Sequence, residues 1–299
     1  MTKVMKEFAI RHEEFGDIGL EIEVEGHNLP VLSKWWRNEQ DGSLKGIETR
    51  EYVLDGPQSL EGIKTALDHL DKAYQANQTV VDDSVRAGVH VHINCQHLTM
   101  TQLYNFITLY LLLENLLVRW CGEYREGNLF CLRASDAEWM LYTIRKAAND
   151  GRKQFRNRFH NDELRYASLN LKALGDYGSL EFRAMRGTRD LGLIYKWAET
   201  LFNLREAACK FNMPTSIIEQ FSVDGVDAFL TRTLGGNKDM FIRGCPDAAQ
   251  LVWEGMRNAQ DVAYCADWHK FEPKMRVIGG VEFPDDIPPN EVNEPPEDV

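Results

Sequence analysis

The sequence predicts an α+β fold in which helices cover one face of an antiparallel sheet. Short segments that alternate apolar and polar residues, as half-buried strands do, are interleaved with longer amphipathic segments. These strands and helices do not alternate strictly, as they do in parallel α/β proteins. The 299-residue chain is 43% hydrophobic, which is enough to bury one large domain or one domain with an appendage.

The first predicted strand is the segment IGLEIEVEG at residues 18–26. Its apolar face consists of Ile18, Leu20, Ile22 and Val24. Its polar face carries three glutamates, which are Glu21, Glu23 and Glu25. A solvated outer face would explain these acids on a lone strand, so their role depends on what the other strands carry.

Further elements follow from the local patterns in chain order. A turn at EQDGS leads into a strand near 47–54 and then a helix at about 60–78. The strand GVHVHIN at 88–94 precedes a long helix at about 99–121. A second helix is predicted at about 136–149.

The next stretch begins with a basic loop, GRKQFRNRFHNDELRY at 151–166. Two strands, YASLNLKAL at 166–174 and SLEFRAM at 179–185, are predicted to pair as a hairpin through GDYG. A helix then starts near Asp190, a typical N-cap residue. From about 213 onward the chain is predicted to be helical until its acidic end.

These elements divide the chain into three parts. Residues 1–212 form the main domain, and residues 213–276 form a helical extension that could cap an active site. Residues 277–299 hold seven acidic residues, no Lys or Arg, and half of the chain's ten prolines. That composition predicts a disordered tail, which either solvates the chain or binds a partner.

Charge and cysteine usage exclude several classes of protein. The net charge of −12 gives the chain no overall electrostatic attraction to nucleic acid or to an anionic membrane. Glu114 and Asn115 interrupt the longest apolar stretch, which therefore predicts a buried helix and not a membrane span. Six irregularly spaced cysteines without a CxxC pair, and no signal pattern at the N-terminus, predict free thiols in the cytoplasm. A homo-oligomer is left open.

The polar faces of five predicted strands carry few of the Lys, Thr, Ser and Gln residues of a solvated face. In chain order they hold Glu21, Glu23, Glu25, Glu51, His90, His92, Asn94, Asn170, Lys172, Glu181 and Arg183. Carboxylates this close would repel one another unless cations lay between them. Carboxylates with imidazoles suit Mg²⁺ or Mn²⁺, and a nearby arginine suits polyphosphate. The pattern predicts a divalent-metal site for a nucleotide, with a plain solvated face as the alternative.

Other catalytic signatures are weaker. The chain contains no GxxxxGK[ST], GxGxxG or GxSxG motif. The HVHIN segment is compatible with a metal hydrolase, but no further histidine set with matching carboxylates accompanies it. Cys/His nucleophilic catalysis is open but lacks a local signature. The Trp35–Trp36 pair could stack a nucleotide base, although core packing is the simpler role.

Six segments in a fixed order resemble the amidoligase family. They are GLEIEVEG, DGS, REYVLDGP, AGVHVHIN, RYASLNL and SLEFRAMRGT, and they span about Ile18 to Lys210. Members of this family are carboxylate–amine ligases of the glutamine synthetase/γ-glutamylcysteine synthetase superfamily. The resemblance implies a curved antiparallel sheet that forms a partial barrel, with helices outside and the active site on the concave face. It also implies ATP-dependent formation of an acyl phosphate, which an amine converts to an amide or isopeptide.

The resemblance implies two divalent ions, Mg²⁺ or Mn²⁺, held by five residues. These metal ligands are Glu21, Glu23, Glu51, His90 and Glu181. The first two form the family's ExE pair, and Glu25 falls outside that pair. The family usually has a serine–proline pattern at this point, whereas this chain has VLDGP. The resemblance therefore fixes the position of Glu51 relative to its metal less firmly than that of the other four ligands.

Six other residues correspond to binding or catalytic positions in the family's motifs. Arg183, Arg165 and Asp41 are the implied catalytic residues, and Arg165, Asn170, Lys172, Arg183 and Arg186 are the implied nucleotide-binding residues. Arg183 would meet the transferring phosphoryl group, and Asp41 would orient the amine.

The function that the resemblance implies is an ATP- and Mg²⁺-dependent carboxylate–amine ligase. Its substrates would be small molecules, peptides or proteins, and the sequence names neither the carboxylate nor the amine. One alternative is a metal-dependent hydrolase or phosphotransferase on the same scaffold. The other is a catalytically inactive nucleotide-binding module that serves an interaction.

Overall fold

The computed structural model describes residues 3–150, 159, 162–271, 275–278 and 281–284. The predicted basic loop at 151–166 therefore lies mostly outside the described residues. The described helices are α1 (Val4–Glu7), α2 (Leu60–Ala76), α3 (Met100–Cys121), α4 (Glu138–Asp150), α5 (Lys172–Asp176), α6 (Leu191–Ala208), α7 (Pro214–Leu234), α8 (Lys238–Gly244) and α9 (Ala248–Ala263). The described strands are β1 (Ile18–His27), β2 (Trp36–Glu39), β3 (Glu48–Leu54), β4 (Val80–Val81), β5 (Gly88–Asn94), β6 (Leu169–Asn170), β7 (Ser179–Arg186), β8 (Met275–Ile278) and β9 (Val281–Pro284).

Seven of these strands form one antiparallel sheet in the order β2-β3-β1-β5-β7-β6, and β4 pairs with the end of β1. The predicted α+β class with an antiparallel sheet is confirmed. The sheet has free edges at β2 and β6, so it does not close into a barrel. The four strands that carry the predicted metal ligands, β3, β1, β5 and β7, are consecutive in this order.

Helices cover the apolar face of the sheet. α3 is buried along nearly its whole length, and its Phe106 and Tyr110 rings lie 5.5 and 4.9 Å from the ring of Phe182 on β7. Thr99 caps α3 in a capping box with Gln102. The predicted cap of α6 is confirmed, because the Asp190 side chain accepts a hydrogen bond from Leu193 N. Among the described residues, no helix combines the length and the apolar run that a bilayer span requires.

The helical extension lies on the same side as α3. Its last long helix, α9, packs along α3, and α7 contacts both α9 and α6. Gly225, with a φ of +67°, interrupts α7. The main described contacts of these helices are with α3, α4, α6 and one another. Capping of the active site by this extension stays a prediction.

The predicted antiparallel pairing of β6 with β7 is confirmed, with Leu169 opposite Phe182 and Asn170 opposite Glu181. The strand predicted at 166–174 is limited to β6, and α5 lies between the two strands where a tight turn at GDYG was predicted. The Asn170 side chain accepts a hydrogen bond from Lys172 N at 2.9 Å, which turns the backbone out of the strand. The short strands β2 and β4 were not predicted. β8 and β9 pair as a hairpin that extends into the segment predicted as a tail, and 285–299 lie outside the described residues.

Glu114 is a buried carboxyl group within α3. It accepts hydrogen bonds from Ala134 N at 2.9 Å and from the Ser168 hydroxyl, which precedes β6. Burial raises its pKa to about 7, although these hydrogen bonds lower it. Glu114 therefore ties the central helix to two loops, one of which leads into the polar face of the sheet.

The raised pKa of Glu114 predicts a pH dependence of stability. The folded chain binds this proton more tightly than the unfolded chain, so the contribution is present below about pH 4.5 and is lost as the pH rises to about 7. Protonated Glu114 should make the unfolding free energy of the wild type roughly 2 kcal/mol larger at pH 5 than at pH 8. Glu114→Gln should lack this contribution to the pH dependence. Urea unfolding at pH 5 and pH 8 measures the unfolding free energies. Glu219→Gln, which changes an exposed glutamate, is the control. The prediction would be contradicted if Glu114→Gln showed the same pH dependence as the wild type.

Candidate active site

Strand register brings the predicted polar residues together at the centre of the sheet. Glu21 on β1 is opposite His90 on β5, and His92 on β5 is opposite Glu181 on β7. Because side chains alternate across a strand, all four project from the face that the helices leave open. The predicted polar face therefore exists as a single surface.

Three of these side chains converge on one point. His92 Nε2 lies 3.3 Å from Glu21 Oε1 and 3.9 Å from Glu181 Oε2. One ligand atom from each of Glu21, His92 and Glu181 lies within 4.8 Å of the others. His92 Nε2 is buried and has no hydrogen-bond partner. A buried ring nitrogen facing two carboxylates in this way is a donor set that could hold a metal ion.

His90 lies on the other side of the same carboxylates. Its Nδ1 is 3.2 Å from Glu21 Oε2 and 3.8 Å from Glu181 Oε1. Its Nε2 is 3.7 Å from Glu23 Oε1. His90 thus separates the cluster of Glu21 and Glu181 from a second group of acids around Glu23.

Two polar side chains fix the carboxylate of Glu181. Arg183 Nη1 donates a hydrogen bond to Glu181 Oε1 at 2.5 Å, and Asn170 Nδ2 donates to Glu181 Oε2 at 2.5 Å. The Nε of Arg183 is buried without a partner. Arg183 therefore keeps hydrogen-bonding capacity for a ligand while it neutralises Glu181.

The charges of the cluster shift its pKa values in consistent directions. Burial raises the pKa of Glu21, but its hydrogen bond with His90 and the charge of His92 lower that pKa below its ordinary value. Burial also raises the pKa of Glu181, but the charges of His92 and Arg183 lower it below its ordinary value. Burial lowers the pKa of His92, but the charge of Glu181 leaves it raised overall. For His90, burial and the charge of Arg183 leave the pKa lowered. The two carboxylates nearest His92 are therefore ionised, as metal ligands must be.

The second group of acids consists of Glu23, Asp41 and Glu51. Burial, and then a hydrogen bond with Asp41, raises the pKa of Glu23 to about 8. Burial, and then the charge of Glu21, raises the pKa of Glu51 to about 7. Burial raises the pKa of Asp41, but hydrogen bonds from Ser43 N and from Glu23 leave it lowered. Three carboxyl groups thus share this end of the site, and a cation there would replace protons.

Glu25, the third glutamate of β1, does not join the cluster. Its Oε1 accepts hydrogen bonds from Lys45 N at 2.6 Å and from Gly46 N at 3.1 Å. Glu25 therefore holds the loop between β2 and β3 that presents Asp41 to Glu23. This role explains why the strand carries a third acid on its polar face.

A cavity of about 800 Å³ opens beside the cluster. Glu21 and His92 line it, together with Arg37, Tyr177 and a segment near the N-terminus. Gly19 also lines it, and a side chain there would approach the Cβ of His92 within 3.3 Å. The cavity joins the potential metal ligands to a space of the size that a nucleotide or small substrate needs.

A comparison with protein families identifies the chain. Residues 38–204 match a family described as "Putative amidoligase enzyme", which is more than half of the sequence. The chain belongs to the amidoligase family. The family's description supports a ligase, and the predicted family assignment is confirmed. Strand β1, with Glu21 and Glu23, precedes the matched region, and no curated protein matches the chain.

In this amidoligase-family chain, three predicted nucleotide-binding residues have the following contacts. Arg165 is exposed, and its guanidinium lies 5.1 Å from the ring centroid of Tyr166. Lys172 Nζ contacts Asp176 Oδ2 at 3.2 Å, and Arg186 donates to the Cys121 carbonyl at 2.9 Å. Their role in nucleotide binding stays a prediction. Asn170, Arg183 and Asp41 do lie beside the predicted metal ligands.

Two residues of the amidoligase site were not chosen from the sequence. His92 was placed on the polar face, but His90 alone was taken from the HxH pair as a ligand. The period-two alternation contained the signal, since both histidines share one face. Arg125 is buried and donates to the carbonyl oxygens of Arg183 at 2.7 Å and Ala184 at 3.0 Å. No sequence pattern marks Arg125, because it reaches β7 from a short turn after α3.

Proposed function

We propose that the chain is an ATP- and Mg²⁺-dependent carboxylate–amine ligase that forms an amide or isopeptide through an acyl phosphate. The observation that carries this proposal is the convergence of Glu21, His92 and Glu181 beside a cavity, in a member of the amidoligase family. The family description supports the ligase class. We include in this proposal the metal, the nucleotide and the acyl-phosphate intermediate. It also includes a glutamine synthetase-like curvature of the sheet and a cytoplasmic location.

The proposal includes two divalent ions, Mg²⁺ or Mn²⁺. Glu21, His92 and Glu181 would hold one ion, because the unpaired Nε2 of His92 faces both carboxylates. Glu23, Glu51 and His90 would hold the other, because a cation between these crowded acids would displace the protons that their raised pKa values retain and would relieve the repulsion between the carboxylates. When bound, such ions neutralise charge on the phosphate groups of a nucleotide.

The chain's own side chains suit the two chemical steps. A substrate carboxylate oxygen attacks the γ-phosphorus of ATP, the bond to ADP breaks, and an acyl phosphate results. Arg183, held beside Glu181, would stabilise the charge on the transferring phosphoryl group. An amine nitrogen then attacks the acyl carbon and releases phosphate. The ionised Asp41 would orient the amine and accept its proton.

The two ends of the site suit different substrates. The cavity beside Glu21 and His92 would hold the nucleotide, with Arg37 among its lining residues. The amine would enter near Asp41 and Glu23, at the end of β1 where the loop held by Glu25 lies. Arg125 would act through Arg183, because it donates to the backbone of β7 at that residue.

An assay of nucleotide turnover tests the proposal and separates it from the alternatives. The chain is incubated with ATP, Mg²⁺ and a pool of amino acids, amines and peptides, and ADP is measured. A ligase should release ADP only when both a carboxylate and an amine are present, and EDTA should abolish release until Mg²⁺ or Mn²⁺ is restored. ADP release without amine would indicate a hydrolase or phosphotransferase. Nucleotide binding without turnover would indicate a binding module, and full activity in EDTA would exclude the metal site.

A further inference from the structure

The wall of the cavity opposite the sheet comes from an irregular segment near the N-terminus. Residues 9–16, which we call the N-terminal strap, connect α1 to β1 and contain neither helix nor strand. Ala9, Ile10, Arg11, His12 and Glu14 of this strap line the cavity. The strap precedes the region that matches the amidoligase family. It is therefore a feature of this chain that the family assignment does not explain.

Two side-chain amides fix the position of the N-terminal strap. The Gln96 side chain, which is buried, accepts a hydrogen bond from Glu14 N at 2.9 Å and donates to His12 O at 3.1 Å. Asn94 Nδ2 donates to Glu14 O at 3.0 Å and to Gly16 O at 2.9 Å. A segment without secondary structure normally lacks such backbone partners. The strap is consequently held in place over the cavity before any ligand binds.

Gln96 also ties the strap to the opposite wall. Its Nε2 donates a hydrogen bond to Tyr177 O at 2.9 Å, and the Tyr177 side chain lines the cavity next to His92. Gly178 follows with a φ of +73°, and a Cβ at this residue would lie 2.6 Å from Gln96 Cγ. The N-terminal strap and the turn at Tyr177 form two walls of the cavity, and the buried side chain of Gln96 is hydrogen-bonded to both.

Arg11 is the cation that this wall leaves available. Its side chain is exposed and lines the cavity, and it has no ion-pair partner among the described residues. Arg37, which also lines the cavity, lies 3.6 Å from Glu39, and Glu13 lies 3.5 Å from His97. Glu14 is an acid on the same wall as Arg11, and its backbone N and O are hydrogen-bonded to Gln96 and Asn94. A guanidinium that lines a cavity next to a metal-ligand set, with no ion pair to any described residue, suits an oxyanion.

We infer that the N-terminal strap forms one wall of the nucleotide pocket and that Arg11 binds the phosphate groups of the metal-bound nucleoside triphosphate. This inference rests on the proposed function, because it requires the cavity to hold ATP. It adds a binding residue from outside the family-matched region. A substrate carboxylate offers the same oxyanion chemistry, so the test separates the two sources.

Calorimetric titration of the full chain with Mg·ATP and with adenosine tests the inference. Arg11→Ala should weaken Mg·ATP binding about tenfold and leave adenosine binding unchanged, because only the phosphates are contacted. Arg11→Lys should restore part of the affinity. Arg243→Ala, which removes an exposed arginine far from the cavity, should bind as the wild type does. The melting temperature of Arg11→Ala without nucleotide should be unchanged, since the side chain is exposed.

The outcomes separate this inference from the proposed function. Equal Mg·ATP affinity in Arg11→Ala and wild type would overturn the inference and leave the proposed function standing. Equal affinity together with a raised Michaelis constant for the carboxylate pool would assign Arg11 to the substrate instead. An equal loss for Mg·ATP and adenosine would show that the phosphates are not its target. No Mg·ATP binding by the wild type would overturn the proposed function and this inference together.

Discussion

Replacing His92 with alanine is expected to lower the affinity of the chain for Mn²⁺ by about a hundredfold or more. Removal of groups that merely support a metal ligand typically costs ten- to a hundredfold, and His92 would contact the ion itself. Its Nε2 is buried without a hydrogen-bond partner and lies within 3.9 Å of both carboxylates. ATP turnover should fall by at least the same factor at limiting Mn²⁺.

Electron paramagnetic resonance of free Mn²⁺ measures this affinity directly. His97→Ala is the matched control, because His97 is an exposed histidine paired with Glu13 away from the cluster. Melting temperatures in EDTA show whether His92→Ala still folds. A second variant, His92→Gln, keeps much of the side-chain volume and should also bind weakly. Wild-type Mn²⁺ affinity in both His92 variants would exclude this imidazole as a ligand.

Arg183→Ala is expected to reduce kcat by about two orders of magnitude or more. The charge that Arg183 would stabilise grows in the transition state, so its loss should lower kcat more than it raises the Michaelis constant for ATP. Its side chain is mostly buried, and Nη1 also lies 3.3 Å from His90 Nδ1. Arg183→Lys should recover only part of the rate, because an ammonium group cannot make the bidentate contact.

The alternative role for Arg183 is a structural ion pair with Glu181, which predicts a different pattern. Loss of such a pair would lower the melting temperature and leave turnover nearly intact well below it. Arg119→Ala is a suitable control, since it breaks pairs with Glu126 and Asp247 far from the site. ADP release is compared for the three variants at a temperature where each is folded. A fully active Arg183→Ala chain would exclude the phosphoryl contact.

The polar face could be predicted from the sequence because its signal is local. Side chains alternate along a strand with a period of two, so Glu21 and Glu23, like His90 and His92, must share a face. The order of the family-like segments then placed their strands in one sheet. β1, β5 and β7 are indeed neighbours, and Glu21, His90 and Glu181 lie together.

The parts that could not be predicted depend on contacts between distant residues. That His92 joins Glu21 and Glu181 as a third donor depends on how the three side chains converge, and that is a property of the assembled cluster. The change from strand to helix after Asn170 follows from a side-chain hydrogen bond to Lys172 N. That bond overrides the alternation that predicted a continuous strand.

Contacts made by loops also escape the sequence. The resemblance implied that Arg165 and Asn170 of RYxxLN both lie near the nucleotide; Asn170 contacts Glu181, Arg165 is exposed beside Tyr166, and its role stays a prediction. Gln96 fixes the N-terminal strap from more than eighty residues away along the chain. Such long-range side-chain contacts leave no periodic pattern in the sequence, so only the structure reveals them.

The fate of a carboxylate oxygen tests the proposed ligase most directly. The chain is supplied with ATP, Mg²⁺, amines, and a pool of amino acids and peptides whose carboxylates carry heavy oxygen, and the released phosphate is analysed by mass spectrometry. In an acyl phosphate the carboxylate oxygen bridges carbon and phosphorus, and attack by the amine breaks the bond to carbon. The account predicts one heavy oxygen in each phosphate released and a condensed product in equal amount. Unlabelled phosphate formed while ATP is consumed would contradict it.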